Sequence, residues 1–130
     1  MKKGLMIRAT VLGAALTATM VLSPARAHDL NDGMLAAEAG DYRTAVSKWQ
    51  PLAQQGDALA QFNLALMYHS GSGVSADERA AVAWYQKSAE NGYAKAQEFL
   101  AAAYREGWFG LPRDQHKADY WNQRLAEQGF

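Results

Sequence analysis

The chain of 130 residues contains no cysteine. That absence excludes disulfide cross-links, thiolate-based zinc sites, cysteine nucleophiles and a lipid anchor attached through a thioether. An excess of charge of one sign is also missing, because 13 basic residues balance 13 acidic ones. Such a balance points to no polyanionic partner. The familiar nucleophile motifs are absent too: no serine lies in a Gly-x-Ser-x-Gly elbow or opens a Ser-x-x-Lys pair. Nothing in the chain assembles a nucleophile with its base, so no catalytic residue is assigned and a non-enzymatic role is expected.

The balanced charge hides a division. Lys2, Lys3 and Arg8 form a basic start, residues 9–22 are uncharged and mostly apolar, and Ser23-Pro24-Ala25-Arg26-Ala27 follows. The order matches a secretory signal, with Ala25 and Ala27 as the small side chains before a cleavage point at His28. As a helix, residues 9–22 would span about 21 Å, short of the roughly 30 Å hydrocarbon core of a bilayer. A signal peptide over residues 1–27 therefore fits better than a retained anchor, and stable membrane insertion after cleavage is not expected. The destination is the periplasm or the exterior. Removing residues 1–27 leaves 9 basic and 13 acidic residues, a net charge of −4. A mildly acidic chain lacks the basic stripe that nucleic-acid binding requires. The remaining residues 28–130 are enough for one domain held together by burial alone.

An internal repeat organises that domain. Ala58, Ala60, Gln61, Leu64, Ala65, Tyr68 and Gly71 recur 36 residues later as Ala94, Ala96, Gln97, Leu100, Ala101, Tyr104 and Gly107. One inserted residue near Trp108 and Phe109 changes the shift to 37, after which Gly73, Asp77, Ala81, Trp84, Ala89 and Gly92 recur as Gly110, Asp114, Ala118, Trp121, Ala126 and Gly129. Matching alanines alone would signal only two similar helices; the aligned tyrosine, tryptophan, aspartate and glycines signal a repeated unit.

Each unit parses as two helices. Ala60, Leu64, Met67 and Tyr68 make an apolar stripe of helical period, and glycines then mark a turn. Asp77 sits where an N-cap belongs, and Ala81, Trp84, Tyr85, Ser88 and Ala89 carry a second stripe to Gly92. Small alanines let paired helices approach, and the aromatic rings fill the space between them. Gly40-Asp41-Tyr42, Ala45, Trp49 and Gly56 mark an earlier, diverged unit over 31–56, with Pro51 inside its second helix, where a lost donor predicts a kink. The full expectation is six helices in three hairpins: 31–39 and 41–55, 58–69 and 77–91, 94–106 and 114–128. In the last helix Ala80, Val82 and Tyr85 are replaced by Lys117, Asp119 and Asn122. An outer face made polar in this way predicts a short, capped array.

The run Ala-x-Ala-Gln-x-x-Leu-Ala-x-x-Tyr-x-x-Gly-x-Gly-Val at 58–74, followed by Asp77, Ala81, Trp84, Tyr85 and Ala89-Glu90-Asn91-Gly92, resembles the Sel1-like repeat, a relative of the tetratricopeptide repeat. Residues 93–129 resemble it again, and 49–57 look like the lead-in that often precedes such repeats. The loop Trp108-Phe109-Gly110-Leu111-Pro112 departs from the pattern, being longer and more aromatic. The resemblance implies an all-α, α/α superhelix of about three hairpins that serves as an adaptor, scaffold or regulator for a protein partner. Some exported relatives are linked to envelope assembly, signalling or host contact.

Two candidate surfaces follow from the resemblance. In the related tetratricopeptide arrangement the first helix of each hairpin lines the concave face. Those positions are Leu59, Phe62, Leu66 and His69, then Lys95, Glu98, Ala102 and Arg105. Their variation between units is what a specific groove needs, although unconstrained surface drifts in the same way. Adjacent Trp108 and Phe109 offer aromatic anchors for a partner, or one of them folds back on the last hairpin. His28 lacks a second histidine nearby to complete a metal site, and His69 and His116 stand alone at helix ends, so neither a metal nor a cofactor is expected. An accessory regulator that docks on a membrane or envelope complex is the second reading. A small cell-wall-directed hydrolase is a distant third. Partner identity and oligomeric state are not written in the sequence.

Overall fold

The computed structural model describes residues 24–130, and among them six helices follow one another with no strand. They are α1 (Pro24–Glu38), α2 (Tyr42–Gln54), α3 (Ala58–Ser70), α4 (Glu78–Glu90), α5 (Ala94–Glu106) and α6 (Gln115–Glu127). Each helix packs on the ones before and after it, so the hairpins α1/α2, α3/α4 and α5/α6 stack in chain order as a solenoid. The all-α, three-hairpin expectation holds. The one sizeable difference is α1, which is already helical at Pro24, the first described residue, ahead of the expected start at Asn31. Most of the expected signal, residues 1–23, lies outside the described residues, and α1 runs across the expected cleavage point between Ala27 and His28.

Aspartates set where the helices begin. The carboxylates of Asp41, Asp57, Asp77 and Asp114 accept from the backbone N–H groups of Thr44, Ala60, Ala80 and Lys117 at 3.2, 2.8, 3.0 and 3.1 Å. Each satisfies a donor that the first helical turn leaves free. The hydroxyl and N–H of Thr44, with Arg43 nearby, hold the Asp41 carboxyl below its usual range. Among α2 to α6, α5 alone starts without a side-chain cap, at Tyr93.

Alanines and aromatics form two joined cores. Ala45, Trp49, Leu52, Ala53, Ala60 and Leu64 fill the junction between the first and second hairpins. Ala81, Tyr85, Ala89, Ala96, Leu100, Ala101, Tyr104, Ala118 and Trp121, with Ala65, fill the rest of the array. The half-buried Trp84 packs against both. Close approach is taken furthest at Gly33, where an added Cβ would lie 2.3 Å from the Trp49 ring nitrogen. That approach lets Trp49 donate its ring N–H to the Leu30 carbonyl at 3.3 Å.

The buried polar groups repeat as faithfully as the apolar ones. Gln61 Nε2 donates to the Ala53 carbonyl at 3.0 Å, and its counterpart Gln97 donates to the Ala89 carbonyl at 2.9 Å. In turn Asn91 donates to Gln61 Oε1 at 3.0 Å and Gln128 to Gln97 Oε1 at 2.9 Å. Each buried amide thus ties the first helix of one hairpin to the last turn of the hairpin before it, which fixes the stacking register and leaves no buried amide unpaired. The outer face of α6 is polar as expected: Lys117, Asp119 and Asn122 are exposed where Val82 and Tyr85 are buried.

Candidate functional site

The aromatic side chains of the second and third hairpins converge on one cluster. Tyr85 of α4 is only 1% exposed and stacks on Phe99 of α5 with centroids 3.9 Å apart. Phe62 of α3 packs edge-on to Tyr85 at 5.6 Å and to Tyr93 at 5.0 Å. At the other end, the ring of His69 meets Phe109 edge-on at 4.5 Å, and its Nδ1 lies 3.3 Å from the Tyr85 hydroxyl. Phe99 completes the arrangement, with Phe109 at 5.2 Å and Trp108 at 6.4 Å. Such edge-on and offset contacts add to the burial of each ring. Burial pushes the Tyr85 hydroxyl up to about 12, so it stays protonated and able to donate to His69 across the physiological range.

The geometry changes the relation between the two expected surfaces. Phe62 and His69 come from the groove set, and Trp108 and Phe109 from the loop; Tyr85 and Phe99 join them into one surface. The loop reaches this position because Gly107 ends α5 in the left-handed conformation, after which the N–H groups of Gly107 and Trp108 both donate to the Ala103 carbonyl. Phe109, with φ 56°, is the one residue other than glycine with positive φ among the described residues. Its half-buried ring folds back, as one of the two sequence alternatives had it, and it reaches across to α3 as well as to the last hairpin. Trp108 is left 46% exposed beside it.

The other groove positions stay outside the ring cluster. Leu59 and Ala102 are half-buried, while Leu66, Lys95, Glu98 and Arg105 are exposed. Lys95 and Glu98 line a shallow cleft of about 450 Å³ with Tyr93, Gln128 and the exposed Phe130. Sequence reasoning missed Phe99 and Tyr93. The repeat alignment carried a signal for the first, since Phe99 replaces Asn63 beside the Phe62-to-Glu98 exchange and so moves the aromatic by one position along the helix. Nothing marked Tyr93, which stands where an N-cap aspartate does in the preceding unit.

Among the described residues no group of histidines and acids is placed to hold a metal ion, and no helix is long and apolar enough to cross a membrane. Of the rings in the cluster only His69 and Trp108 are exposed; Phe62, Tyr93, Phe99 and Phe109 are half-buried.

A model of the Sel1 repeat matches residues 58–93 and 94–130. Among solved structures, the chain is similar to c5321, a protective antigen of uropathogenic Escherichia coli strains displaying an SLR fold. That match has a TM-score of 0.70 and 33% identity and covers 81% of this chain and 23% of that one. It is also similar to a Sel1 repeat protein from Oxalobacter formigenes, with a TM-score of 0.71, 32% identity, and coverage of 79% of this chain and 44% of that one. The chain therefore spans less than half the length of either solved relative. No curated protein matches it. With two units matched by the repeat model and a third hairpin stacked on them, the chain belongs to the Sel1-repeat family, whose helical arrays are protein-interaction scaffolds.

Proposed function

We propose that this protein is an exported adaptor that holds a protein segment against its concave surface, with the rings of Phe62, His69, Phe99, Phe109 and Trp108 as the apolar floor. Leu59 and Leu66 extend that floor along α3, while Lys95, Glu98 and Arg105 on α5 supply charged contacts. The observation that carries this reading is the contact of Phe109 with His69, which makes groove and loop a single surface. Leu66 and Trp108 keep 39% and 46% of their surface open, as binding anchors must before a partner arrives. No catalytic residue is assigned in this reading, and the acids at Asp77 and Asp114 serve as helix caps.

Export rests on the basic start, the apolar run and the small residues before His28. Cleavage after Ala27 would remove the first turn of α1 and the hydrogen bond from Arg26 to Gln55, and would keep the contact of Trp49 with Leu30. Cell fractionation with sequencing of the mature N-terminus tests this. A first residue of His28 in the periplasm or medium supports export, and a full-length cytoplasmic chain opposes it.

The binding surface is tested by capture from envelope extract with Phe62→Ala, Arg105→Ala and Trp108→Ala proteins. All three should lose the captured partner, while Tyr120→Ala, on α6 outside the ring cluster, should keep it. Loss with Trp108→Ala alone would favour the second reading, an accessory factor that docks its loop on an envelope complex.

A further inference from the structure

The two inter-hairpin junctions differ in how their loops sit: the first borders an open hollow lined by Arg43, Gly71, Gly73, Val74 and Ser75, and the second a cleft with apolar lining. At the first junction the loop after α3 closes directly on the start of α2: a Cβ on Gly73 would lie 2.4 Å from the Tyr42 carbonyl oxygen. At the second junction the equivalent Gly110 has nothing within 4 Å of the same position. The inserted residue that changes the shift from 36 to 37 lies in this loop. A cleft of about 440 Å³ lies between them, a volume in the range of small-ligand sites.

The cleft is furnished on both sides. Val82 and Ala83 of α4 and Phe109 and Leu111 of the loop give it an apolar floor, and Glu78, Arg79 and Gln86 stand on its rim. Arg79 is exposed and takes part in no ion pair among the described residues. Gln86 donates through Nε2 to the Tyr104 hydroxyl at 3.1 Å, which fixes its amide and leaves Oε1 facing no donor among the described residues. An apolar floor, one unpaired guanidinium and one oriented carbonyl acceptor complement a specific set of groups: a hydrophobic side chain, a carboxylate and an N–H. Glu78 on the same rim repels a second negative charge, so one carboxylate fits and two do not.

We infer that this cleft captures an apolar residue of a partner peptide, aromatic or branched, that carries a single carboxylate close to its side chain. The ring or branch rests on Val82, Phe109 and Leu111. The carboxylate pairs with Arg79, and the peptide N–H donates to Gln86 Oε1. The site goes beyond the groove reading, because its polar groups all lie on α4, and Phe109 is the residue the two surfaces share. Phe109 has a left-handed backbone, which is strained for a residue with a Cβ, and its ring takes part in both the cleft and the ring cluster.

The test uses N-acetyl-L-phenylalanine, which presents an N–H, a ring and a carboxylate, titrated into the isotope-labelled protein while amide resonances are followed. Saturable shifts at Val82, Ala83, Gln86 and Leu111 in the millimolar range are expected. N-acetyl-L-phenylalaninamide, without the carboxylate, should bind about two- to fivefold more weakly, the loss expected for one exposed ion pair. Arg79→Gln should weaken the acid to the level of the amide and leave the amide unchanged. Deleting Phe109, which restores the 36-residue spacing, should abolish both sets of shifts with the helical circular dichroism retained. If that deletion does not fold, Leu111→Lys on the cleft floor should have the same effect. Absence of saturable shifts at α4, equal binding of acid and amide, or shifts confined to Tyr93, Lys95 and Phe130 would each overturn the inference.

Discussion

The first and second junctions of this solenoid share their frame and differ in their loops. Both use a buried glutamine that donates to the carbonyl of the preceding hairpin, Gln61 to Ala53 and Gln97 to Ala89, and both bury a leucine completely, Leu64 and Leu100. At the first junction the loop is closed by Gly73 against the backbone of α2; at the second it is held open, with Phe109 turned onto His69 and Phe99. The repeated residues therefore set stacking, and the second loop, which carries the inserted residue, differs in where its side chains lie. In such an array a change of one residue in a turn leaves the helices in place, because each hairpin needs only its neighbours.

Truncation of the shared leucines should have the largest effect. Leu64→Ala and Leu100→Ala should each cost about 2–5 kcal/mol in urea unfolding, since both side chains are fully enclosed. Near-equal losses would support equivalent frames. A loss well under 1 kcal/mol at either site would break the equivalence.

The loops should then separate the junctions. Gly73→Ala meets both a backbone clash and a φ of 72°, and should cost about 2–4 kcal/mol. Gly110→Ala meets open space at φ 69° and should cost about 1 kcal/mol. Equal losses in the same unfolding assay would mean that the second loop is not held away from α4.

Next in size come the polar ties. Gln61→Leu and Gln97→Leu each strand a buried carbonyl and should lose about 1–3 kcal/mol, with hydrogen exchange at the following helix faster in proportion. The smallest effect belongs to Tyr85, which the last unit replaces with the exposed Asn122. Its hydroxyl is raised from 10.0 to about 12 by burial, so the folded state holds the proton more tightly. The resulting stability is fully present below pH 10 and is lost as the pH rises through 12. Tyr85→Phe should flatten that part of the stability profile, measured by unfolding at successive alkaline pH values.

How far the sequence announces this structure varies by residue. Five of six helices begin and end within a residue of the expected bounds, because capping aspartates and terminal glycines recur at fixed positions. The helical residues 24–30 were not announced, since Ser23-Pro24-Ala25-Arg26-Ala27 reads as the end of a signal segment. Gly33 gave no warning either: a glycine within a helix looks like a defect until the ring of Trp49 is seen against it. The site was half legible. Phe62, His69, Trp108 and Phe109 were each marked, by position or by the inserted residue, but their convergence depends on Tyr85 and Phe99, and contacts between helices far apart in sequence do not show in periodicity. The cleft beside α4 was invisible, because it joins loop residues to helix residues about 30 positions away in sequence.

The claim that groove and loop act as one surface is tested most directly by a double-mutant cycle on the partner recovered from the envelope. Affinity is measured for the parent, Phe62→Ala, Trp108→Ala and the double variant. One continuous surface predicts that each single change weakens binding and that the two losses fail to add by at least about 0.5 kcal/mol. Strictly additive losses, or a Trp108→Ala protein that binds like the parent, would contradict it.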